Sequence, residues 1–135
     1  MKISEIAGTQ QIAGYFPGHA TAGSDKLVGI GKAPCAGTVT AVYWVPGAAV
    51  TGANTNNFSL NVINMGSAGA GTGLVATLEF ASGTDAEEGV PLAITLDAAL
   101  TLAAGDYIEV EKAANGTGLA CPDGWVIVEF KSLGD

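Results

Sequence analysis

The side chains that carry most enzyme chemistry are scarce in this chain of 135 residues: one histidine, two cysteines and no arginine. His19 would have to find its nucleophile far along the chain. No Gly-x-Ser-x-Gly elbow is present, and pairing His19 with Cys35 or Cys121 rests on their presence alone. The two cysteines are separated by most of the chain, which excludes the close spacing of a CxxC redox or zinc motif. Two fates fit them. They are free, partly buried thiols, or they form a disulfide, which would contribute about 4 kcal/mol if the Cα atoms came within about 7 Å.

Other clusters are read first as local structure. The stretch Gly66-Ser-Ala-Gly-Ala-Gly-Thr-Gly73 invites comparison with a phosphate-cradling loop, but it joins two apolar segments and no Lys-Ser or Lys-Thr follows it. It is a flexible connection, placed where recognition commonly sits. Asp85, Glu87 and Glu88 lack the alternating ligands and central glycine of a calcium loop and form an acidic turn. Cys121, Pro122, Asp123 and Gly124 are turn chemistry, and the amides of Asn54, Asn56 and Asn57, with Thr55 among them, bond a local backbone turn. No cofactor or metal is expected. Trp44, Trp125, Tyr43 and Tyr107 either pack in a core or line up on one sheet as a platform for the apolar faces of sugars.

Charge narrows the partners. Thirteen acidic residues against five lysines give a net charge of −8, which repels a phosphate backbone or an anionic membrane surface. Lys2, Lys26, Lys32, Lys112 and Lys131 form no run. No stretch approaches the length of a membrane span, and the opening residues contain no continuous apolar run of an export signal. Neither nucleic acid nor membrane is expected as a partner, and no small-molecule substrate.

With 13% charged and 48% hydrophobic residues the chain can fold, and its length suits one domain. Residues 1–25 lack a sustained apolar period and carry several glycines, so they are expected to form an extended N-terminal arm before a body over 26–135. In the body, short alternating segments at 27–32, 38–45, 57–64, 74–80, 90–96, 106–112 and 124–131 predict antiparallel strands, the first at an edge. Val90, Leu92, Ile94 and Leu96 are expected to face inward, as are Ile108, Val110, Val126, Val128 and Phe130. A single helical turn is predicted at 97–101. The architecture is all-β: an antiparallel β-sandwich or jelly roll of about seven to eight strands. Many alanines and glycines make its core thin, so assembly would add stability.

The run Ala36-Gly-Thr-Val-Thr-Ala-Val-Tyr-Trp-Val-Pro46, the segment Asn57-Phe-Ser-Leu-Asn-Val-Ile-Asn64 and Leu102-Ala-Ala-Gly-Asp-Tyr-Ile-Glu-Val110 resemble the small β-sandwich decoration, or cement, proteins of tailed-phage heads. The likeness spans about 27–131 and is one of size, strand rhythm and acidic Ala/Gly-rich body. It implies a non-enzymatic structural protein, made in the host cytoplasm, that binds the major capsid protein on the outside of the virion and stabilises the shell, often as a homotrimer. On that reading Ile3, Ile6, Ile12, Tyr15 and Phe16 of the arm contact the capsid, and Val42, Trp44 and Ile127 form the subunit interface. The alternative is a carbohydrate- or receptor-binding module using Trp44, Trp125 or Tyr107.

Overall fold

Apolar alternation is converted into ten strands in two antiparallel sheets, seen in a computed structural model that describes residues 8–132. The strands are β1 (Thr9–Phe16), β2 (Lys26–Lys32), β3 (Gly37–Pro46), β4 (Asn57–Asn64), β5 (Gly73–Glu79), β6 (Leu92–Ala93), β7 (Thr95–Leu96), β8 (Thr101–Leu102), β9 (Tyr107–Asn115) and β10 (Gly124–Ser132). Sheet one has the order β1-β10-β3-β6, with β8 also on β3; sheet two has the order β2-β9-β4-β5-β7. The inner faces of the two sheets share one core, as a sandwich requires.

The two sheets approach each other along both sides of the sandwich. On one side β1 and β2 meet, where a Cβ at Gly14 would lie 2.6 Å from Ile30 Cβ, so only glycine allows this approach. On the other side the segment expected as a single strand at 90–96 changes sheets. Leu92 and Ala93 pair with β3, Thr95 and Leu96 pair with β5, and between them the Ile94 amide donates to Val42 O at 2.9 Å. The core is anchored by Trp44, Phe58 and Phe80, with centroids 4.7 Å apart for the two phenylalanines and 5.6 Å for Trp44 and Phe80. Burying each such side chain contributes about 1.5–3 kcal/mol before entropy is counted.

Several expectations are corrected. Residues 9–16 are not an unpatterned arm: β1 pairs with β10 along its whole length, and Ile12 and Phe16 enter the chain's own core. Both are therefore unavailable as capsid anchors; Tyr15 points outward, and Ile3 and Ile6 lie outside the described residues. Val42 and Trp44 are fully buried rather than at a subunit interface. A bulge explains this. Ala41 pairs with Glu129 but Val39 pairs with Phe130, so Thr40 is an extra residue, and Val39 and Val42 both point inward across it. A second bulge opposite Val62 and Ile63 turns Val75 into the core beside Ala76. Residues 97–101 contain no helix; Asp97 and Ala99 instead bond their amides to Val75 O and Leu74 O. Val90 is exposed, because the strand begins only at Leu92.

The least anticipated core residue is Lys112. It continues the inward series Ile108, Val110 on β9 and is completely buried. Its ammonium donates to the carbonyl oxygens of Thr21, Ala22 and Ser24 at 3.1, 2.7 and 2.7 Å. All three donors are used, which offsets the cost of taking the charge out of water. The β1–β2 loop is thereby tied to β9 of sheet two.

Candidate interaction face

The two outer faces of the sandwich differ in chemistry. On sheet one, strand register places Tyr15, Trp125 and Val45 in one row and Ala13, Ile127, Tyr43 and Ala93 in the next. A third row, Gln11, Glu129 and Ala41, begins the polar end of the face. Trp125 is 53% and Tyr15 48% exposed, values that set them apart from the buried Trp44. Their rings meet edge to face, with centroids 5.9 Å apart at 63°.

Sheet two presents a hydrogen-bonded polar face instead. Asn61 donates to Glu111 at 2.9 Å and accepts from Thr77 at 2.6 Å; Asn115 donates to Asn57 at 2.7 Å and to Ser59 at 3.1 Å. Leu27 is the exposed large aliphatic residue at its edge. Tyr107 does not project as a sugar platform, because its ring lies over Gly29 of β2, where no larger side chain intervenes.

At one end of sheet one the Tyr15–Trp125 pair adjoins an open depression of about 550 Å³, lined by Tyr15, Pro17, Ala20, Ala49, Ala120, Cys121, Pro122 and Asp123. The Tyr15 hydroxyl donates to Asp123 Oδ2 at 2.6 Å. That hydrogen bond, ahead of desolvation and the carboxylate's charge, holds the phenol's pKa above its ordinary value. Asp123 is fixed by backbone as well, its carbonyl accepting from the Gly47 amide at 2.7 Å.

The structure brings His19 and Cys121 together, but through their backbones: each amide donates to the other's carbonyl, at 2.8 and 2.9 Å. The Cys121 thiol is buried and lies 3.4 Å from Pro122 O. Burial pushes its pKa from 9.0 to about 12, against the lowering effects of the Lys112 charge and the His19 backbone contact. This is the reverse of what an activated thiolate needs. Cys35 is also a free thiol, 3.8 Å from Gln10 Oε1.

The remaining clusters take local roles. Residues 65–72 connect β4 to β5 as a turn-rich loop, and Gly73 already belongs to β5. Asp85, Glu87 and Glu88 are exposed, and Asp85 caps the Gly52 amide at 2.8 Å. Among the described residues no three of His, Cys, Asp and Glu come together as metal ligands. Asn57 bonds Ala53 O at 2.8 Å, as its turn position predicts, and Asn56 accepts from the Thr117 amide at 2.9 Å.

Of the residues singled out in the sequence, Tyr15, Trp125, Tyr43 and Ile127 are gathered on one face. Asp123 was legible only as a turn residue, since nothing local links it to Tyr15. Comparison with known proteins adds no relative: no family model, no curated protein and no solved structure matches the chain.

Proposed function

We propose that this chain is a structural β-sandwich that attaches to a protein shell through the outer face of sheet one, acting as a decoration protein on the major capsid protein of a phage head. The observation that carries this reading is the asymmetry of the two faces. Tyrosine and tryptophan, here in register across three strands with Ile127 beside them, are residue types enriched at protein interfaces. A face whose polar groups already bond one another, as on sheet two, gains little from a partner. The identification of the partner as a capsid rests on the sequence resemblance, and so does assembly as a homotrimer. The role is binding rather than catalysis, a reading supported by the buried, high-pKa thiol of Cys121.

The test uses heads that lack this chain. Purified protein is added and co-sedimentation measured for the parent, for Trp125→Ser with Ile127→Ser, and for Thr95→Ala on sheet two. The face variant is expected to bind about tenfold more weakly or worse. Equal binding by both variants would refute the face assignment, and no binding by the parent would refute the capsid.

A carbohydrate-binding module is the second reading, favoured by two exposed aromatic rings beside a carboxylate. Against it, the rings stand at 63° and make no single flat platform.

A further inference from the structure

We propose that the depression beside Tyr15, Trp125 and Asp123 is a socket for one cationic side chain, an arginine or lysine, of the protein partner. This deepens the reading of sheet one as the attachment face and rests on it.

The chemistry of the walls selects the occupant. Tyr15 lines the depression and its ring packs edge to face with the adjoining Trp125, so an organic cation seated there meets the quadrupole of an exposed aromatic ring. One oxygen of Asp123 is engaged by the Tyr15 hydroxyl, which fixes the carboxylate in the lining of the depression. No lysine lines the site to neutralise it. Pro17, Ala20, Ala49 and Pro122 supply small apolar surface suited to the alkyl stem of a long basic side chain. Beyond the Tyr15–Asp123 pair, which bond each other, the lining offers only the Cys121 thiol, already in contact with Pro122 O, as a polar side chain, fewer than a sugar ring with several hydroxyls would require. The net charge of −8 adds long-range attraction for a basic partner and raises its rate of encounter.

The probe is Nα-acetyl-arginine amide, titrated into the isotope-labelled full chain while the indole N–H resonances of Trp125 and Trp44 are followed. In about 20 mM salt a saturable shift of Trp125 in the millimolar range is expected, with Trp44 unmoved. Asp123→Asn, and separately about 200 mM NaCl, are expected to weaken it about fivefold or more. A thermal melt of Asp123→Asn checks that the fold is kept, and Trp125→Ser, a surface change, gives an independent loss of cation binding read from the Tyr15 ring resonances. No saturable shift, or an equal shift in Asp123→Asn, would overturn the socket. So would a Trp125 response to maltose without one to the arginine probe, which would favour a sugar site. Failure of the socket while Trp125→Ser with Ile127→Ser still loses head binding would leave the attachment face standing; loss of the face with a working socket would show the converse.

Discussion

Lys112 Nζ lies 2.7 Å from the carbonyl oxygen of Ala22, so strand β9 of sheet two and the loop between β1 and β2 are held by one buried ammonium. Lys112→Met keeps the apolar stem but leaves the carbonyls of Thr21, Ala22 and Ser24 without their donor. Part of the loss is recovered as water reaches the loop. A destabilisation of about 1–3 kcal/mol is expected by urea titration, with faster hydrogen exchange confined first to the segment around residues 21–25. An unchanged midpoint would mean that the ammonium contributes nothing to that attachment.

The thiol of Cys121 predicts a dependence on alkaline pH. Its folded-state pKa of about 12 exceeds the ordinary 9.0, so the native protein holds the proton more tightly than the unfolded chain does. The stability this represents is complete below pH 9.0 and is lost progressively as pH rises toward about 12. Cys121→Ala should flatten that part of the stability profile relative to the parent. At neutral pH a thiol reagent is expected to modify the half-buried Cys35 and to spare Cys121 until the protein unfolds. Equal labelling of both in the native state would contradict the burial of Cys121.

Phe16 separates an integral first strand from a detachable arm. It is fully buried between the sheets, so Phe16→Ala is expected to cost about 3–5 kcal/mol, as Trp44→Ala should. Trp125→Ser should change stability by about 0.5 kcal/mol at most and should remove the tryptophan emission that iodide quenches. A Phe16→Ala protein as stable as the parent would restore the arm.

What the sequence conveyed and what it concealed follow from particular residues. Phe58, Leu60 and Val62 alternate with polar neighbours on a strand without irregularity, and all three are buried as that pattern requires. In β3 both faces are apolar, so the bulge at Thr40 decided which side of Trp44 and Val42 went inward, and a bulge leaves no mark on composition. β1 was obscured by its glycines. Ile12, Gly14 and Phe16 do alternate, but Gly14 looks like a breaker until Ile30 is seen to fill the space beside it. Lys112 stands in an inward series where a lysine's usual preference for water argues the opposite, and the three carbonyls that reverse the preference lie far away in sequence. Trp125, Ile127 and Tyr15 stood out in the sequence separately, as a platform aromatic, a subunit-contact residue and an arm anchor; that they share one outer face depended on the β1–β10 register.

The central claim is that the outer face of sheet one is covered by a shell protein, and particle imaging addresses it most directly. On the proposed reading, phage heads decorated with this chain should show, at side-chain detail, the sandwich seated on the shell. Tyr15, Trp125 and Ile127 should be buried against the major capsid protein, and the Asn61–Glu111 face of sheet two should be turned to solvent. Heads carrying no such density, or carrying it with Trp125 facing solvent and sheet two against the shell, would contradict the account.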